Sequence, residues 1–596
     1  MVASAACAGA SRKAEPAPES SVFYTVTAEL ALARHEPRVA ALQYAAAAAI
    51  APALWPRAAA VASAGLQPSL TLVAAEHWIR SEPQSLEAQR AAAEAALSLH
   101  RVAVSASHYR FLLAHAAAPA DAPDAEFTRI EKDLRGADNV YGARQVADLL
   151  AKQLPASVAL ERLQGFTALR ADDPAAAARS FAAVLSRIPR GPPDGADSSA
   201  ERAPAVEDAG PGAGGGDAGN GGDAGTGQAA AAMTAPDARA EVTQAWRRAR
   251  VLAGDVEAPL AEAFEQVEHD ASVANRFDYS ILLWTAHREA LARVQLQELS
   301  AEAQARPEAL RVLGLIELQT GNEAAAETQF NALLTTGMYL DDAFYFLGLI
   351  ADRRGDLERA LRAYSRVQSG ENMLPALLRA ATILHTHGAA SQADELLDRL
   401  VGEEPGRVPE VLAAAAEIYA KGGDRERAHT VLERALAEYP DNVDLHYALA
   451  TQLEERGQID AALRDLRDLL KARPDDPAAL NALGFTLADH SRELARARAL
   501  IEQALAAAPK SAAIRDSLGW VLYRQGHPQQ ALPYLSSAFA DDPGGDIGAH
   551  LGEVLWQLDQ HTEAERIWTA AHRVDADNHL LQSTRLRLHR DQRAGR

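Results

Sequence analysis

The second half of the chain contains a spaced repeat that constrains the fold more than any other feature. An alanine followed four residues later by a large side chain occurs eight times, at intervals of 33 to 35 residues. The alanines of these pairs are Ala326, Ala360, Ala393, Ala428, Ala462, Ala497, Ala531 and Ala564. A period of about 20 to 50 residues is typical of solenoids, in which each unit buries its apolar face only against its neighbours. We therefore expect an array of similar units rather than one central core.

A second small residue precedes most of these alanines by twelve positions, or by thirteen in the case of Gly484. Two helices approach closely only where the side chains at their contact are small. The spacing therefore predicts a helical hairpin in which the first small residue faces the Ala of the partner helix. The repeat-packing residues predicted in this way are Gly314 with Ala326, Gly348 with Ala360, Gly484 with Ala497, Gly519 with Ala531, and Gly552 with Ala564.

Turn residues and composition both favour a chain built from helices. Gly355-Asp356 and Gly423-Asp424 divide their units, and a Pro such as Pro440 closes five of the eight. Gly readily adopts the left-handed cap of a helix, and Pro cannot continue one. Hydrophobic residues make up 48% of the chain but aromatic residues only 5%, and much of the apolar content is Ala, the strongest helix former. We predict an all-α fold.

The pattern resembles the tetratricopeptide repeat, in which helix-turn-helix units of about 34 residues stack into a right-handed superhelix. The resemblance implies an α-solenoid with eight repeat units over residues 308–577. Residues 237–307 are similar to further repeat helices, and residues 21–189 are similar to a degenerate array of the same kind. Residues 578–596 are expected to form a capping helix and a basic tail, because repeat arrays need a polar cap.

One segment, residues 190–236, interrupts this organisation. It is rich in Gly, Asp, Ala and Pro, and such a composition cannot bury enough apolar surface to offset the entropy of ordering. No strand precedes its glycines and no Lys-Ser/Thr follows them, so a phosphate-binding loop is not indicated. We predict a disordered linker between two helical arrays.

The sequence lacks the motifs that would indicate catalysis or a metal centre. H-E-x-x-H, G-x-S-x-G and paired C-x-x-C motifs are absent, and a single cysteine excludes a zinc site built on several thiolates. The net charge of −22 disfavours nucleic-acid binding, which needs clustered cations. No apolar stretch reaches the roughly 20 residues that span a bilayer. We expect a protein that is not an enzyme and that has no cofactor, no metal, no nucleic-acid partner and no transmembrane span.

The resemblance to tetratricopeptide arrays also indicates where a partner would bind. In such arrays the first helix of each unit lines the concave face, and residues close to the Gly position point into it. The aromatic residues at these places in the later units are Tyr447, Phe485, Trp520, Tyr523 and Trp556. We predict that they anchor an apolar peptide segment. Acidic residues that include Asp444 and Asp546 are expected along the edge of the same groove.

The N-terminus resembles that of a bacterial lipoprotein. Ser4-Ala5-Ala6-Cys7 is similar to the small-residue motif that precedes a lipidated cysteine, and residues 1–20 have the polar composition of a tether. Thr27-Ala28-Glu29-Leu30-Ala31 resembles the start of a group of proteobacterial tetratricopeptide lipoproteins. This resemblance implies lipidation of Cys7 and anchoring to the outer membrane in the periplasm. It also implies an adaptor role, in which the protein binds a C-terminal processing protease and presents peptidoglycan hydrolases to it.

Two other functions stay open on the sequence. Similar arrays serve as scaffolds in envelope polysaccharide export or lipopolysaccharide assembly. A third role, that of a cytoplasmic regulatory array, is favoured if Met1 is the true start, since no export signal would then exist. All three functions require protein or peptide partners.

Overall fold

The computed structural model describes residues 20–115, 125–188, 235–575 and 578–594. These residues form 31 α-helices and two short 3-10 turns, Pro52–Leu54 and Pro405–Arg407, and they contain no strand. The predicted all-α solenoid is confirmed. Residues 1–19, which include Cys7 and nearly all of the predicted tether, lie outside the described residues.

Consecutive helices pair into hairpins joined by short turns. The helices that precede residue 189 are α1 (Ser21–Ala33), α2 (Pro37–Ile50), α3 (Trp55–Ala64), α4 (Pro68–Ser81), α5 (Leu86–Ser98), α6 (Val102–His115), α7 (Ala125–Gly136), α8 (Val140–Gln153), α9 (Val158–Arg170) and α10 (Pro174–Arg187). The next four helices are α11 (Ala235–Leu252), α12 (Glu257–His269), α13 (Val273–Thr285) and α14 (Glu289–Ser300).

The spaced repeat corresponds to eight further hairpins and one final helix. Their helices are α15 (Arg306–Gln319), α16 (Glu323–Leu334), α17 (Leu340–Arg353), α18 (Leu357–Tyr364), α19 (Met373–Thr386), α20 (Ala390–Glu403), α21 (Val408–Lys421), α22 (Arg425–Glu438), α23 (Val443–Glu455), α24 (Ile459–Ala472), α25 (Pro477–Asp489), α26 (Leu494–Ala507), α27 (Ala512–Arg524), α28 (Pro528–Asp541), α29 (Gly545–Gln557), α30 (His561–Val574) and α31 (His579–Ala594).

Local sequence signals explain where these helices begin and end. Gly423, between α21 and α22, has a φ of 90°, a backbone conformation that Gly adopts without the steric cost of a Cβ. The next residue, Asp424, caps α22 by accepting a hydrogen bond from the backbone N–H of Arg427 at 3.1 Å. Asp356 caps α18 in the same way after Gly355. The Gly-Asp pairs of the sequence are therefore the turns of the hairpins.

The contact inside each hairpin differs from the prediction in one respect. The atoms nearest to each Gly belong to the large side chain four residues after the paired Ala, although the carbonyl oxygen of the paired Ala is also close to Gly484 and Gly519. A Cβ at Gly314 would lie 2.6 Å from the ring of Phe330, and one at Gly348 would lie 2.7 Å from the ring of Tyr364. The paired alanines are fully buried in the same hairpins. In the later units Gly484 meets Ile501, Gly519 meets Leu535, and Gly552 meets Trp568.

The solenoid continues across the segment predicted as a linker. Helix α11 packs directly on α10, and Phe181 of α10 shares a buried cluster with Val242 and Ala249 of α11. The helices on the two sides therefore belong to one stack of hairpins, although the sequence composition divides them. Of the predicted linker only residues 235 and 236 are described, as the start of α11, and residues 190–234 lie outside the described part.

The array returns alongside itself after one turn of the superhelix. Gln67 Nε2 donates a hydrogen bond to the carbonyl oxygen of Glu438 at 2.7 Å, and Arg473 Nη2 donates one to the carbonyl oxygen of Ser98 at 2.6 Å. The partners are separated by 371 and 375 residues, and further contacts extend from Arg38 with Glu438 to Asp172 with Lys510, so the two segments run in the same direction. We call this boundary, between residues 38–172 and residues 438–510, the seam.

Arg473 links several groups at the seam. Its Nε donates to the carboxylate of Asp476 at 2.7 Å, and its Nη1 donates to the carbonyl oxygen of Asp441 at 3.0 Å. Leu66 and Tyr141 of the early helices add apolar contacts with the core of the later units. A buried guanidinium with several partners is a strong hydrogen-bond donor, so Arg473 couples the two turns.

The hairpin contact can be tested with two glycines that occupy different surroundings. In Gly348→Ala the new Cβ meets the ring of Tyr364, whereas in Gly402→Ala, within α20, it meets nothing within 4 Å. Both changes gain helix propensity, up to about 1 kcal/mol, but overpacking costs about 1–3 kcal/mol. We expect Gly348→Ala to lower the urea midpoint of unfolding and Gly402→Ala to leave it unchanged or raise it. Equal midpoints for the two variants would contradict the packing described above.

The role of Arg473 in the seam can be tested by hydrogen exchange and small-angle scattering. We expect Arg473→Ala to speed amide exchange around Ser98 and Gln67 and to increase the radius of gyration, because the hydrogen bonds between the turns are lost. Arg498→Ala is the matched control, since Arg498 pairs only with Glu502 on its own exposed helix face. If both variants behave like the parent chain, Arg473 does not couple the turns, and the remaining seam contacts, such as the Gln67 hydrogen bond, are sufficient.

Candidate functional site

A groove of about 1810 Å³ runs along the inner helices of the last units. It is lined by the first helix of each hairpin from α23 to α29 and by α31, the helix that ends the array. Each helix contributes residues three or four positions apart, which is one helix face. On α23 these residues are Asp444, Tyr447, Thr451 and Glu454. The residue directly after the small Gly or Ala of each first helix lines this groove in four consecutive units.

Four of the five aromatic residues predicted to bind a partner line the groove, namely Tyr447, Phe485, Trp520 and Tyr523. Their accessibility differs. Tyr447 is 48% exposed, whereas Trp520 is only 6% exposed. Tyr447 therefore presents its ring to a partner directly, while Trp520 belongs to the floor of the groove.

The fifth predicted aromatic residue, Trp556, is not part of the groove lining. Its ring lies 4.3 Å from that of His561 and 5.5 Å from that of Trp568, measured between centroids. The ring of His589, on α31, meets it edge-on at 5.0 Å. Trp556 thus fills the junction between the last hairpin and the final helix. Helical spacing alone could not reveal this, because the last unit packs against a single helix rather than another hairpin.

A buried ion pair supports the floor of the groove. His550 Nδ1 lies 2.9 Å from the carboxylate of Asp516, and both side chains are buried. The imidazole stacks on the ring of Trp520 with a centroid distance of 4.2 Å, and Trp520 Nε1 donates to Asp489 at 3.0 Å. Burial disfavours the imidazolium, but the carboxylate of Asp516, helped by Asp546 and Asp489, outweighs it and raises the pKa of His550.

Sequence reasoning did not single out Asp516 or His550, although a signal was present. Asp516 lies three residues before Gly519 and His550 lies two residues before Gly552, so the two residues occupy neighbouring rather than equivalent places in consecutive units. Tyr523 and Glu553 form a similar contact between units, with the hydroxyl donating to the carboxylate at 3.2 Å. A search for complementary residues 30 to 34 positions apart on consecutive inner helices would have found such pairs.

One wall residue of the groove comes from the opposite side of the seam. Tyr141, on α8, lines the groove together with the inner helices of the last units. It packs against the core of those units from more than 300 positions earlier in the chain. No local pattern marks Tyr141 in the sequence, because its place depends on how far the superhelix rises in one turn.

The outer face of α1 is a second candidate surface. Phe23, Val26 and Leu30 follow one another at helical spacing and are each about half exposed. The opposite face, with Ala28 and Ala31, packs against α2. Within the described chain no hairpin packs on the outer face of α1, so these apolar side chains are available to a partner.

The described helices offer neither an evident metal centre nor a membrane span. No group of three or more His, Cys, Asp or Glu side chains within the described ranges is arranged to hold a metal ion. None of the helices in those ranges combines the length and the apolar character that crossing a bilayer requires.

Comparison with known proteins supports the repeat assignment. Family models described as tetratricopeptide repeat match residues 419–484 and 517–578. A curated relative, the TPR repeat-containing protein PA4667 of Pseudomonas aeruginosa, is 34% identical over 214 residues. This match spans 36% of the present chain and 36% of the relative, so the chain matches about a third of that protein's length.

Two solved structures are similar at a lower level. The thermophilic tetratricopeptide-repeat protein TTC0263 of Thermus thermophilus is 20% identical, and the match covers 30% of this chain and 96% of that one, with a TM-score of 0.27. Yeast Tom70 is 11% identical, and the match covers 95% of this chain and 99% of that one, with a TM-score of 0.35. Likeness at this level says nothing of function.

The buried ion pair under the groove predicts a specific pH dependence of stability. Because the pKa of His550 is raised, its pair with Asp516 contributes fully below the unfolded-state pKa of about 6.5, and the contribution is lost as the pH rises through the folded-state pKa. At acidic pH we expect His550→Gln to lower the free energy of unfolding in urea by about 3–5 kcal/mol relative to the parent chain. This difference should shrink as the pH rises.

The exposed His572 provides the matched control. We expect His572→Gln to follow the parent chain across the whole pH range. A constant difference between His550→Gln and the parent chain at all pH values would mean that the imidazole is neutral in the folded protein.

Proposed function

We propose that this array of repeat hairpins, two segments of which match tetratricopeptide-repeat models, is a non-catalytic scaffold that brings two protein partners together. Repeat hairpins of this kind supply extended surfaces for binding proteins or peptides. In its specific form, the proposal is a periplasmic adaptor, anchored to the outer membrane through lipidated Cys7. One partner is a C-terminal processing protease and the other is a peptidoglycan hydrolase that the protease cleaves.

The groove of the last units is the proposed site for an extended client segment. Its size and concave form suit a chain without secondary structure, which can lie along several consecutive helices. The accessible ring of Tyr447 is the single observation that supports this assignment best, because an aromatic side chain on a concave protein surface is a frequent anchor in interfaces. Phe485 and Tyr523 extend the same aromatic surface.

The outer face of α1 is the proposed site for the second partner. A convex helix face such as that of Phe23, Val26 and Leu30 fits a groove or a flat apolar patch on a folded protein. The two surfaces lie on different units, so both partners can bind at the same time. Holding an enzyme and its substrate on one scaffold raises their effective concentration without any catalytic residue on the scaffold.

The two-surface proposal predicts that partner loss depends on which surface is changed. We expect Tyr447→Ala to remove one binding partner from envelope pull-downs, and Leu30→Asp to remove a different one, because each change acts on one surface only. Mass spectrometry of the captured proteins identifies the partners. The matched controls are Tyr534→Ala and Leu291→Asp, which change exposed residues of the same types outside the two surfaces.

A reconstitution with purified proteins tests the adaptor role itself. We expect cleavage of the hydrolase by the protease to be faster with the parent scaffold than with either Tyr447→Ala or Leu30→Asp. Loss of the same proteins in both variants, or cleavage that does not respond to the scaffold, would contradict a two-surface adaptor.

A further inference from the structure

The groove carries a strongly unbalanced set of charges. Eight carboxylates line it, against two arginines and one histidine. The carboxylates are Asp444, Glu454, Asp489, Asp516, Asp542, Asp546, Glu553 and Asp575. A concave site with one sign of charge focuses the electrostatic potential, so its excess of carboxylates favours a cationic partner.

Both arginines of the groove are already paired with carboxylates of the groove. Arg524 binds Asp489 at 3.3 Å and lies over the ring of Trp520 at 5.4 Å. Arg587, which reaches the groove from α31, pairs with Glu553. The acidic and aromatic lining of the groove therefore already binds arginine side chains of the same chain.

The opposite part of the groove, at α23, has the same kind of lining without an arginine of its own. No cation of the described chain lies within ion-pair distance of Asp444, and burial together with the carboxylates of Asp476 and Glu410 raises its pKa. The same is true of Asp546, whose carboxylate accepts only a neutral hydrogen bond from the Asn578 amide at 3.0 Å. These two carboxylates therefore remain available to a cation on a partner.

Tyr447 lines the groove together with carboxylates of several helices. Burial and then the carboxylates of Asp546, Glu454, Asp516 and Asp489 raise the pKa of its hydroxyl. These four carboxylates belong to four different helices. No hydrogen bond of the described chain involves the Tyr447 hydroxyl, and the exposed ring offers a π face to a cation.

We propose that the groove selects client segments that carry lysine or arginine, and that a cationic side chain of the client sits against Tyr447 between Asp444 and Asp546. The inference rests on the proposed function, because it names the chemistry of the segment that the scaffold holds. The internal precedent is Arg524, which lies between the carboxylate of Asp489 and the ring of Trp520 in the same groove. An acidic segment would instead meet uncompensated carboxylates and bind weakly.

The test uses the full chain and labelled probe peptides of one length and one set of apolar residues. The peptides differ only in bearing Lys, Glu or Ala at the remaining positions, and binding is measured by fluorescence anisotropy. We expect the Lys peptide to bind at least about tenfold more tightly than the Glu peptide, and its affinity to fall with added salt. Similar affinities for the Lys and Glu peptides, or no binding of either, would overturn the charge assignment.

Variants of the chain test whether Asp444 and Asp546 cause the preference for a cationic peptide. We expect Asp444→Asn combined with Asp546→Asn to weaken binding of the Lys peptide about tenfold and to leave the Ala peptide unchanged. The matched control is Glu358→Gln combined with Asp559→Asn, which removes the same charge from exposed positions outside the groove. If the control weakens binding equally, only the net charge matters and the site at Tyr447 is excluded.

The outcomes separate this inference from the proposed scaffold role. If Tyr447→Ala abolishes binding of the Lys and Glu peptides alike, the groove binds segments without regard to charge, so the scaffold stands and the cation site does not. If the chain forms a concentration-dependent dimer that the Lys peptide disperses, the groove holds the basic final helix of a second copy, and the client assignment is wrong.

Discussion

The close contact between a small residue of the first helix and a large side chain of the second, made by a glycine in five of the eight repeat hairpins, is the interaction on which the rest of the structure depends. At Gly314 and Gly348 the absence of a Cβ leaves the space that the rings of Phe330 and Tyr364 occupy. Interiors are close-packed, so the two helices cannot take another separation without a void or a clash. A nearly constant hairpin geometry, repeated every 33 to 35 residues, then produces a regular superhelix.

The regularity of the superhelix brings distant parts of the chain together. Small rotations between units add up to a full turn, after which Arg473 meets the backbone of Ser98 and Tyr141 reaches the wall of the groove. The groove is therefore more than the inner face of the last units. Its wall also depends on hairpins near the start of the chain.

Much of the candidate site follows from the same regularity. Phe485 and Trp520, which each follow the small repeat residue of their helix, both line the groove, because consecutive units place equivalent residues on one face. The prediction does not extend to Trp556, because the final helix supplies a different neighbour from a full hairpin. Nor does it distinguish Trp520, which is buried on His550, from Tyr447, which is exposed, since both have aromatic side chains on the inner helices.

The helical fold and the period of the units follow from the sequence, because both depend on local spacing of small, apolar and turn-forming residues. The tertiary structure was needed to show that α10 and α11 join one stack, that the turns of the superhelix meet at a seam, and which carboxylates of the groove have no cation among the described residues. Those properties depend on accumulated rotation between units and on side chains brought together from different helices, and neither is visible within one repeat period.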